Sequence, residues 1–231
     1  TKISFMNEMS EICEELDVDI GDVRLGVGSD SRIGYEFIYP GCGYGGSCFP
    51  KDVKALVSMA GDCGVPSDVL HAVELRNQRQ KESVAVKMKA FFKDDVNGKT
   101  FCLWGLAFKP GTDDMREASS LQIMKDLIGA GAKIQAYDPV AFETARAEMP
   151  KEWFDNGDVA FFDSMYDALD NTDALILATE WKQFQNPDFS IIKQKLNAPV
   201  IFDGRNQYDP AQMTELNFVY FGIGRTKQEQ K

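Results

Sequence analysis

The sequence has few of the residues that build metal sites and disulfide frameworks. Its 231 residues include one histidine and five cysteines, an odd number without any Cys-x-x-Cys spacing. A structural zinc site needs four ligands at characteristic spacings, so this composition argues against a metal centre. The cysteine pattern argues equally against a disulfide framework and favours a reducing compartment, which predicts a cytoplasmic location.

Basic residues and long apolar runs are also scarce. The chain has 25 lysines and arginines against 36 aspartates and glutamates, a formal net charge of −11. Nucleic acids and anionic membranes bind basic surfaces, so neither is expected as a partner. No apolar run approaches the roughly 20 residues that cross a bilayer. Residues 1–6 contain neither a signal-peptide pattern nor an initiating methionine, and we interpret the chain as a fragment of a longer protein.

Glycine, in contrast, is concentrated in one stretch between Pro40 and Asp52. A backbone with this many glycines can adopt positive φ angles and approach a ligand closely. Pro50 and Asp52 favour the first turn of a helix, so a helix is expected to start just after Cys48. A thiol at a helix start and near Lys51 lies in a positive potential, which favours the nucleophilic thiolate. Cys48 is therefore the candidate nucleophile. The other cysteines are interpreted as packing residues: Cys13, Cys42, Cys63 and Cys102.

The first part of the chain, residues 1–97, has helical patterns. Apolar residues at three- and four-residue steps predict an amphipathic helix over 3–16 and a shorter helix over 19–27. A third helix follows the glycine-rich loop, and Ser67 is expected to cap a long fourth helix. The middle of that helix, residues 76–83, is almost wholly polar, which indicates either a solvated bridge between domains or a subunit contact.

From residue 98 onward, strand and helix patterns alternate. Apolar runs predict strands at about 101–108, 132–137, 159–162, 174–179, 200–202 and 218–221, and helices at about 121–128, 140–148, 164–170 and 188–196. This alternation predicts an α/β fold with a doubly wound parallel sheet, helices on both faces and ligands at the carboxyl ends of the strands. We therefore divide the chain into a central helical region with a long helix (1–97), a Rossmann-like α/β domain (98–223) and a polar tail (224–231) expected to be disordered.

The predicted α/β domain lacks a dinucleotide fingerprint. Such folds carry Gly-x-Gly-x-x-Gly after the first strand, and this chain has Ala-Phe-Lys-Pro-Gly-Thr at 107–112 instead. This sheet is therefore not expected to bind NAD by itself. Asp138 follows a predicted strand, where a dinucleotide-binding fold has the acid that binds the ribose, but we interpret it as a turn or cap residue. Arg116 is expected in the first turn of a helix that residues 112–114 cap, where a cation opposes the helix dipole. Such local exceptions tend to mark functional sites.

The glycine-rich loop and four further segments resemble one family of enzymes. The loop contains Gly-Tyr-Gly-Gly-Ser-Cys-Phe-Pro-Lys-Asp, and the supporting segments are Asn7–Glu11, Asp30–Gly34, Phe108–Glu117 and Phe202–Arg205. Together they resemble the UDP-glucose/GDP-mannose dehydrogenases, and within that family the UDP-glucose 6-dehydrogenases. The resemblance covers essentially the whole chain. It also implies an amino-terminal NAD-binding domain, which this chain is expected to lack.

The resemblance implies NAD-dependent oxidation of UDP-glucose to UDP-glucuronate, with two NAD⁺ consumed for each sugar. Cys48 would hold the aldehyde as a thiohemiacetal and then carry a thioester, while Asp52 would orient the hydrolytic water. Lys51 and Arg116 are the implied contacts of the cofactor. Arg32 contacts the substrate in the family, sometimes across a subunit interface, which implies a homo-oligomer. The implied UDP-glucose contacts are Arg32, Tyr39, Pro40, Gly41, Gly43, Tyr44, Gly45, Phe108, Lys109 and Arg205.

Three other functions stay open for this sequence. The substrate could be GDP-mannose or a UDP-acetamido sugar instead of UDP-glucose. The chain could also be a non-catalytic nucleotide-sugar-binding or oligomerisation module, which the missing NAD domain favours. A thiol redox protein would pair Cys42 with Cys48. Because the catalytic lysine and asparagine of the family precede Thr1, the chain alone is expected to bind the UDP-sugar weakly without turnover.

Overall fold

Four helices form the first part of the chain in the computed structural model, which describes residues 1–225. They are α1 (Lys2–Leu16), α2 (Ile20–Ser29), α3 (Phe49–Asp62) and α4 (Asp68–Phe91). All four predicted helices are present. Ser67 takes the N-cap position of α4, but its side chain makes no capping hydrogen bond. No helix in the described range has the length and apolarity needed to cross a bilayer.

A six-stranded parallel sheet forms the second part. Its strands are β1 (Thr100–Trp104), β2 (Lys133–Tyr137), β3 (Val159–Phe161), β4 (Ala174–Leu177), β5 (Val200–Asp203) and β6 (Val219–Phe221). The spatial order is β3-β2-β1-β4-β5-β6, which confirms the predicted doubly wound sheet and puts its topological switch point between β1 and β4. The helices are α5 (Ser119–Ile128), α6 (Phe142–Glu148), α7 (Lys151–Asp155), α8 (Phe189–Lys195) and α9 (Pro210–Glu215).

Two predicted elements of the sheet region are shorter than expected. The strand predicted over 101–108 ends at Trp104, because Gly105 adopts a φ of +92° and a Cβ there would lie 2.5 Å from that of Thr179. The helix predicted over 164–170 is only a 3₁₀ turn at Asp167–Leu169. That connection is short and must also return the chain to the start of β4. The sequence analysis missed α7 and α9, which are both short.

The second half of α4 packs on the sheet. Val84, Ala85 and Met88 are buried in the same hydrophobic cluster as Phe101 and several other sheet residues. Because the first half of α4 contacts α1 and α3, one continuous helix joins the two parts of the chain. Burying its apolar face against the sheet therefore determines where the helical segment lies relative to the strands' carboxyl ends.

Three side chains in the polar middle of α4 are buried. Asn77 and Gln80 are 3% and 2% exposed, and Lys81 is also buried. Of the two interpretations of this stretch, the solvated bridge is wrong for these residues, whose side chains bond to the glycine-rich loop or to Glu117, and the subunit contact stays a prediction. Other residues of the stretch, such as Gln78 and Arg79, do face solvent.

Two further expectations concern cysteines and the carboxyl terminus. Cys63 is exposed, so the packing interpretation is wrong for it, whereas Cys13, Cys42 and Cys102 are buried. In the predicted tail, the Gly224 amide donates to the Glu14 carboxylate and Arg225 pairs with Asp19, so these first two tail residues contact α1 and α2. Residues 226–231 lie outside the described residues.

Asp203, at the carboxyl end of β5, organises the turn that follows. Its buried carboxylate accepts hydrogen bonds from the amides of Arg205, Gln207 and Tyr208 and from the Tyr220 hydroxyl, at 2.7–3.1 Å. Burial raises the pKa of this carboxyl group, while the donors oppose that shift. The turn that presents Arg205 therefore depends on one side chain.

We expect Asp203→Ala to lower the free energy of unfolding by about 3 kcal/mol, because it leaves several buried donors without an acceptor. Urea denaturation measures the change. The matched control is Asp209→Ala, which removes an exposed N-cap of α9 that accepts from Ala211 and Gln212. The control should cost only about 1 kcal/mol. Equal losses in the two variants would contradict the role given to Asp203.

Candidate functional site

Cys48 lies at the junction between the glycine-rich loop and α3. It occupies the N-cap position, and its carbonyl accepts the Asp52 amide at 2.8 Å, which confirms the predicted helix start. Pro50 falls within the first two helical positions. The thiol is exposed, and its Sγ lies 3.7 Å from the Ser47 hydroxyl oxygen. The nucleophile candidate is therefore accessible at a helix N-terminus.

Amide side chains of α1 and α4 hold the loop from the helical side. The Gly41 amide donates to Asn7 Oδ1 at 2.9 Å, and Gln80 Nε2 donates to the Gly41 carbonyl at 2.7 Å. Asn77 binds both backbone groups of Tyr44, accepting its amide at 2.9 Å and donating to its carbonyl at 3.0 Å. Sequence reasoning missed Asn77 and Gln80, whose only signal was a polar stretch inside a long helix.

The carboxyl ends of the strands hold the loop from the other side. The Cys42 amide donates to the Gly204 carbonyl, just after β5, at 2.7 Å. The Gly43 carbonyl accepts from Arg205 Nη1 at 3.1 Å and from the Ser119 hydroxyl at 3.2 Å. The loop thus lies where an open parallel sheet binds its ligands.

The last two glycines of the loop are required by close packing. A Cβ on Gly45 would lie 2.3 Å from the Glu117 carbonyl oxygen, and one on Gly46 would lie 2.7 Å from the Phe108 ring. The Gly46 amide also donates to the Arg116 carbonyl at 2.7 Å. These glycines therefore bring the loop against the segment that follows β1.

Glu117 connects that segment to α3 and α4. Its carboxylate accepts hydrogen bonds from Lys54 and Lys81, each at 2.8 Å. These two bonds lower the pKa of Glu117 from its ordinary value of 4.5 to about 2. The carboxylate is therefore ionised throughout the neutral range and joins three elements around the loop.

A cavity of about 160 Å³ lies beneath the loop. It collects five of the residues predicted to contact the substrate: Tyr39, Gly41, Gly43, Tyr44 and Arg205. Asn7 and Glu180 line it as well. Arg205 pairs with Glu180 at 3.3 Å, and the buried Nδ2 of Asn7 makes no hydrogen bond to any residue in the range 1–225. A buried donor of this kind needs a partner, so the cavity suits a polar ligand.

Other predicted site residues lie outside this cavity. The Arg32 side chain is 87% exposed and pairs with Asp30. Lys51 Nζ lies 3.4 Å from the Asp52 carboxylate, and both groups are exposed. Pro40 begins the loop. The exposed Lys109 ammonium lies over the Phe108 ring, 5.3 Å from its centroid.

The expectation for Arg116 as a first-turn helix residue is wrong. The helix begins at Ser119, because Glu117 adopts a φ of +57° and interrupts the backbone before it. Asp114, expected as a cap, instead forms an ion pair with Arg116 at 2.6 Å. Hydrogen bonding to Asp114 raises the pKa of Arg116, and Cys48 contributes a smaller effect. The Arg116 carbonyl accepts the Gly46 amide, so the Arg116 backbone lies beside the loop that carries Cys48.

Asp138 is a turn residue, as expected. Its carboxylate accepts the amides of Leu106 and Ala107, after β1, and those of Val140 and Ala141, after β2, at 2.7–3.2 Å. The side chain is buried. Its oxygen atoms are therefore used in joining two strand ends.

We expect Glu117→Gln to lower the stability at pH 7 on the order of 1 kcal/mol, since the half-exposed carboxylate is screened by solvent. The depressed pKa stabilises the fold above about pH 4.5, and this contribution disappears as the pH falls toward about 2. Urea denaturation across this range should show the two proteins converging at low pH.

The control for this variant is Asp155→Asn, which breaks the exposed pair with Lys151. It should change the stability by at most about 0.5 kcal/mol. A gap between the wild type and Glu117→Gln that is the same at pH 3 and pH 7 would contradict the assignment.

Two models of one protein family match the chain. The central domain of the UDP-glucose/GDP-mannose dehydrogenase family matches residues 1–79, and the UDP-binding domain of the same family matches residues 102–210. Together they cover most of the chain, including the glycine-rich loop, Phe108, Arg116 and Arg205.

Individual relatives agree with these matches. A UDP-glucose 6-dehydrogenase of Pseudomonas aeruginosa is 52% identical over 98% of this chain and 50% of its own length. The UDP-glucose 6-dehydrogenase TuaD of Bacillus subtilis is 39% identical over 97% of this chain and 47% of its own. A UDP-glucose dehydrogenase structure from Pyrobaculum islandicum matches with a TM-score of 0.81 and 32% identity, over 97% of this chain and 48% of its own. The chain spans about half the length of the curated relatives it matches. It belongs to the UDP-glucose/GDP-mannose dehydrogenase family.

Proposed function

We propose that this chain is the part of an NAD-dependent UDP-glucose 6-dehydrogenase that carries the nucleophilic cysteine and the UDP-sugar site. The observation that carries the proposal is the exposed Cys48 thiol, which ends a loop that lines a cavity together with Asn7, Glu180 and Arg205. Membership of the family and the names of the similar proteins support it.

The substrate is proposed to bind across the loop and the strand ends. Arg205 and Lys109 provide positive charge near the loop in a chain whose net charge is −11, which suits a nucleoside diphosphate. The backbone of residues 39–45 and the Phe108 ring surround the sugar nucleotide. The exposed Arg32 is proposed to reach the substrate of a second copy, so that the working form is a homo-oligomer.

The described residues fit only part of an NAD site. No glycine-rich turn leads from β1 into α5, and the Asp138 oxygens already accept four amides. Lys51, in the first turn of α3, and Arg116, beside the glycine-rich loop, are exposed cations and suit the phosphates of a cofactor held mainly by other residues. When bound, NAD would supply the hydride acceptor for both oxidation steps.

Cys48 makes the four-electron oxidation possible. Its thiolate adds to the carbonyl carbon of the aldehyde, and oxidation of the resulting thiohemiacetal leaves a thioester. Water then attacks the thioester carbon, which releases the carboxylate product and the thiol. Asp52 lies one turn beyond Cys48 and is proposed to orient that water. The covalent bond retains the aldehyde between the two oxidations.

We expect two NADH for each UDP-glucose when the chain is joined to an amino-terminal NAD-binding domain. Absorbance of NADH and quantification of UDP-glucuronate measure the ratio. Cys48→Ser should abolish or stall turnover, because the serine hydroxyl is a far weaker nucleophile at neutral pH. Cys63→Ser changes the other exposed cysteine of α3 and should leave the ratio at two. One NADH for each sugar would contradict the thioester route.

The chain by itself should bind UDP-glucose weakly and form no NADH, because its described residues provide only part of an NAD site. Titration calorimetry with UDP-glucose, GDP-mannose and UDP-N-acetylglucosamine tests the substrate class. Tighter binding of either competitor would assign the chain to another branch of the family. NADH formation by the chain alone would contradict the partial NAD site.

A further inference from the structure

The buried amides of α4 have no place in the chemistry described so far. We propose that Asn77 and Gln80 are positioning residues that hold the glycine-rich loop in one conformation and so determine where the Cys48 thiol lies. The inference rests on the proposed role of Cys48. Neither side chain contacts the sulfur, so both act through the backbone of the loop.

Asn77 forms a pair of hydrogen bonds with the loop backbone, as a neighbouring β-strand would. Its Oδ1 accepts the Tyr44 amide and its Nδ2 donates to the Tyr44 carbonyl, at 2.9 and 3.0 Å. A side-chain amide is the group that offers an acceptor and a donor side by side at this length. Aspartate lacks the donor and leucine lacks both, so no residue of similar volume replaces asparagine here.

Gln80 has only one way to orient its amide. Arg76 donates to Gln80 Oε1 at 2.6 Å, which leaves Gln80 Nε2 to donate to the Gly41 carbonyl at 2.7 Å. Arg76 is itself held by the Asn7 carbonyl at 2.7 Å and by an ion pair with Glu11. The donor that meets Gly41 is therefore oriented by contacts that do not involve the loop.

These amides occupy helix positions where apolar residues would be expected. Val73, Asn77, Gln80, Val84 and Met88 are buried and repeat at three- and four-residue steps along one face of α4. Burying two amides there gains nothing for an apolar core and leaves polar groups that must be satisfied. A local exception of this kind indicates a functional requirement, and the partner that these amides meet is the loop.

The Tyr44 backbone groups that Asn77 binds also constrain the backbone between Tyr44 and Cys48. Only three residues separate them, and in between the Gly46 amide binds the Arg116 carbonyl. Glycine-rich backbone loses much conformational entropy on ordering, so the loop needs these external bonds to keep one conformation. Without Asn77, the loop can leave the position that delivers the sulfur to the first turn of α3.

The two exposed cysteines of α3 provide the test. Cys48 and Cys63 cap opposite ends of this helix, so Cys63 reports general loosening while Cys48 reports the loop. Alkylation by iodoacetamide, followed at each cysteine by mass spectrometry, gives both rate constants in the chain as it is. Asn77→Ala should change the rate of alkylation at Cys48 by about fivefold relative to Cys63, because the loop no longer fixes where the sulfur lies at the start of α3.

Two further variants keep the result interpretable. Gln80→Met keeps the size of the side chain but removes its bonds to the Gly41 carbonyl and to Arg76, so it should shift the ratio less and in the same direction. It also decides the outcome if Asn77→Ala does not fold. The control Asn197→Ala removes an amide that bonds to Asn171 and Asp173 at the opposite edge of the sheet, and the ratio should not move.

An unchanged Cys48 to Cys63 ratio in both loop variants would overturn the proposal. Equal changes at the two cysteines would overturn it as well, since they would show that Asn77 and Gln80 serve only general stability.

Turnover separates this inference from the proposed function. In the chain joined to an NAD-binding domain, Asn77→Ala should lower kcat by roughly 10- to 100-fold with a much smaller change in KM for UDP-glucose. If the loop variants alter the alkylation ratio but the wild type oxidises no sugar nucleotide, the proposed function fails and the positioning role stands. If the wild type oxidises the substrate but the loop variants leave the ratio unchanged, the positioning role fails and the proposed function stands.

Discussion

The structure depends on the hydrogen bonds that hold the backbone of one glycine-rich loop. A segment with glycines at 41, 43, 45 and 46 cannot hold itself in one conformation, because glycine loses more entropy on ordering than any other residue. Donors and acceptors from both parts of the chain provide the missing constraint. Asn77 and Gln80 bind it from α4, while Gly204 and Arg205 bind it from the edge of the sheet. The loop is thus, beside the continuous helix α4, a second place where the two parts of the chain are in contact.

Packing and electrostatics serve the same junction. The long helix α4 buries its second half on the sheet and turns its first half toward α1 and α3, so one rigid element controls the distance between them. Glu117 adds charge-assisted bonds to Lys54 and Lys81, on two different helices. Positions 45 and 46 require glycine because the loop packs closely on the segment after β1, where Glu117 and Phe108 occupy the space that a Cβ would need. Lys81 and Arg205 therefore place positive charge beside the loop in a chain whose net charge is −11.

The proposed chemistry asks for a thiol that is accessible and held at one position. Cys48 meets both conditions, because it is exposed while the residues before it are tied to the rest of the molecule. The cavity beneath the loop supplies polar groups without a partner among the described residues, in particular Asn7 Nδ2. The chain spans about half the length of the curated relatives it matches, and its described residues contain no glycine-rich turn between β1 and α5.

Local patterns in the sequence determined the helices, the strands and the helix start at Cys48, because each of these elements depends on residues close together in the chain. Periodicity was less informative at short or interrupted elements, where α7 and α9 were missed and Gly105 ended β1 early. Only the tertiary structure decided how Asn77 and Gln80 are used, since their partners lie more than 30 residues away. The same holds for Arg116, whose place depends on the backbone of Glu117 and on Asp114 rather than on a helix dipole. A polar side chain can form hydrogen bonds with solvent or with protein, and which of the two it does depends on contacts between segments that are distant in the sequence.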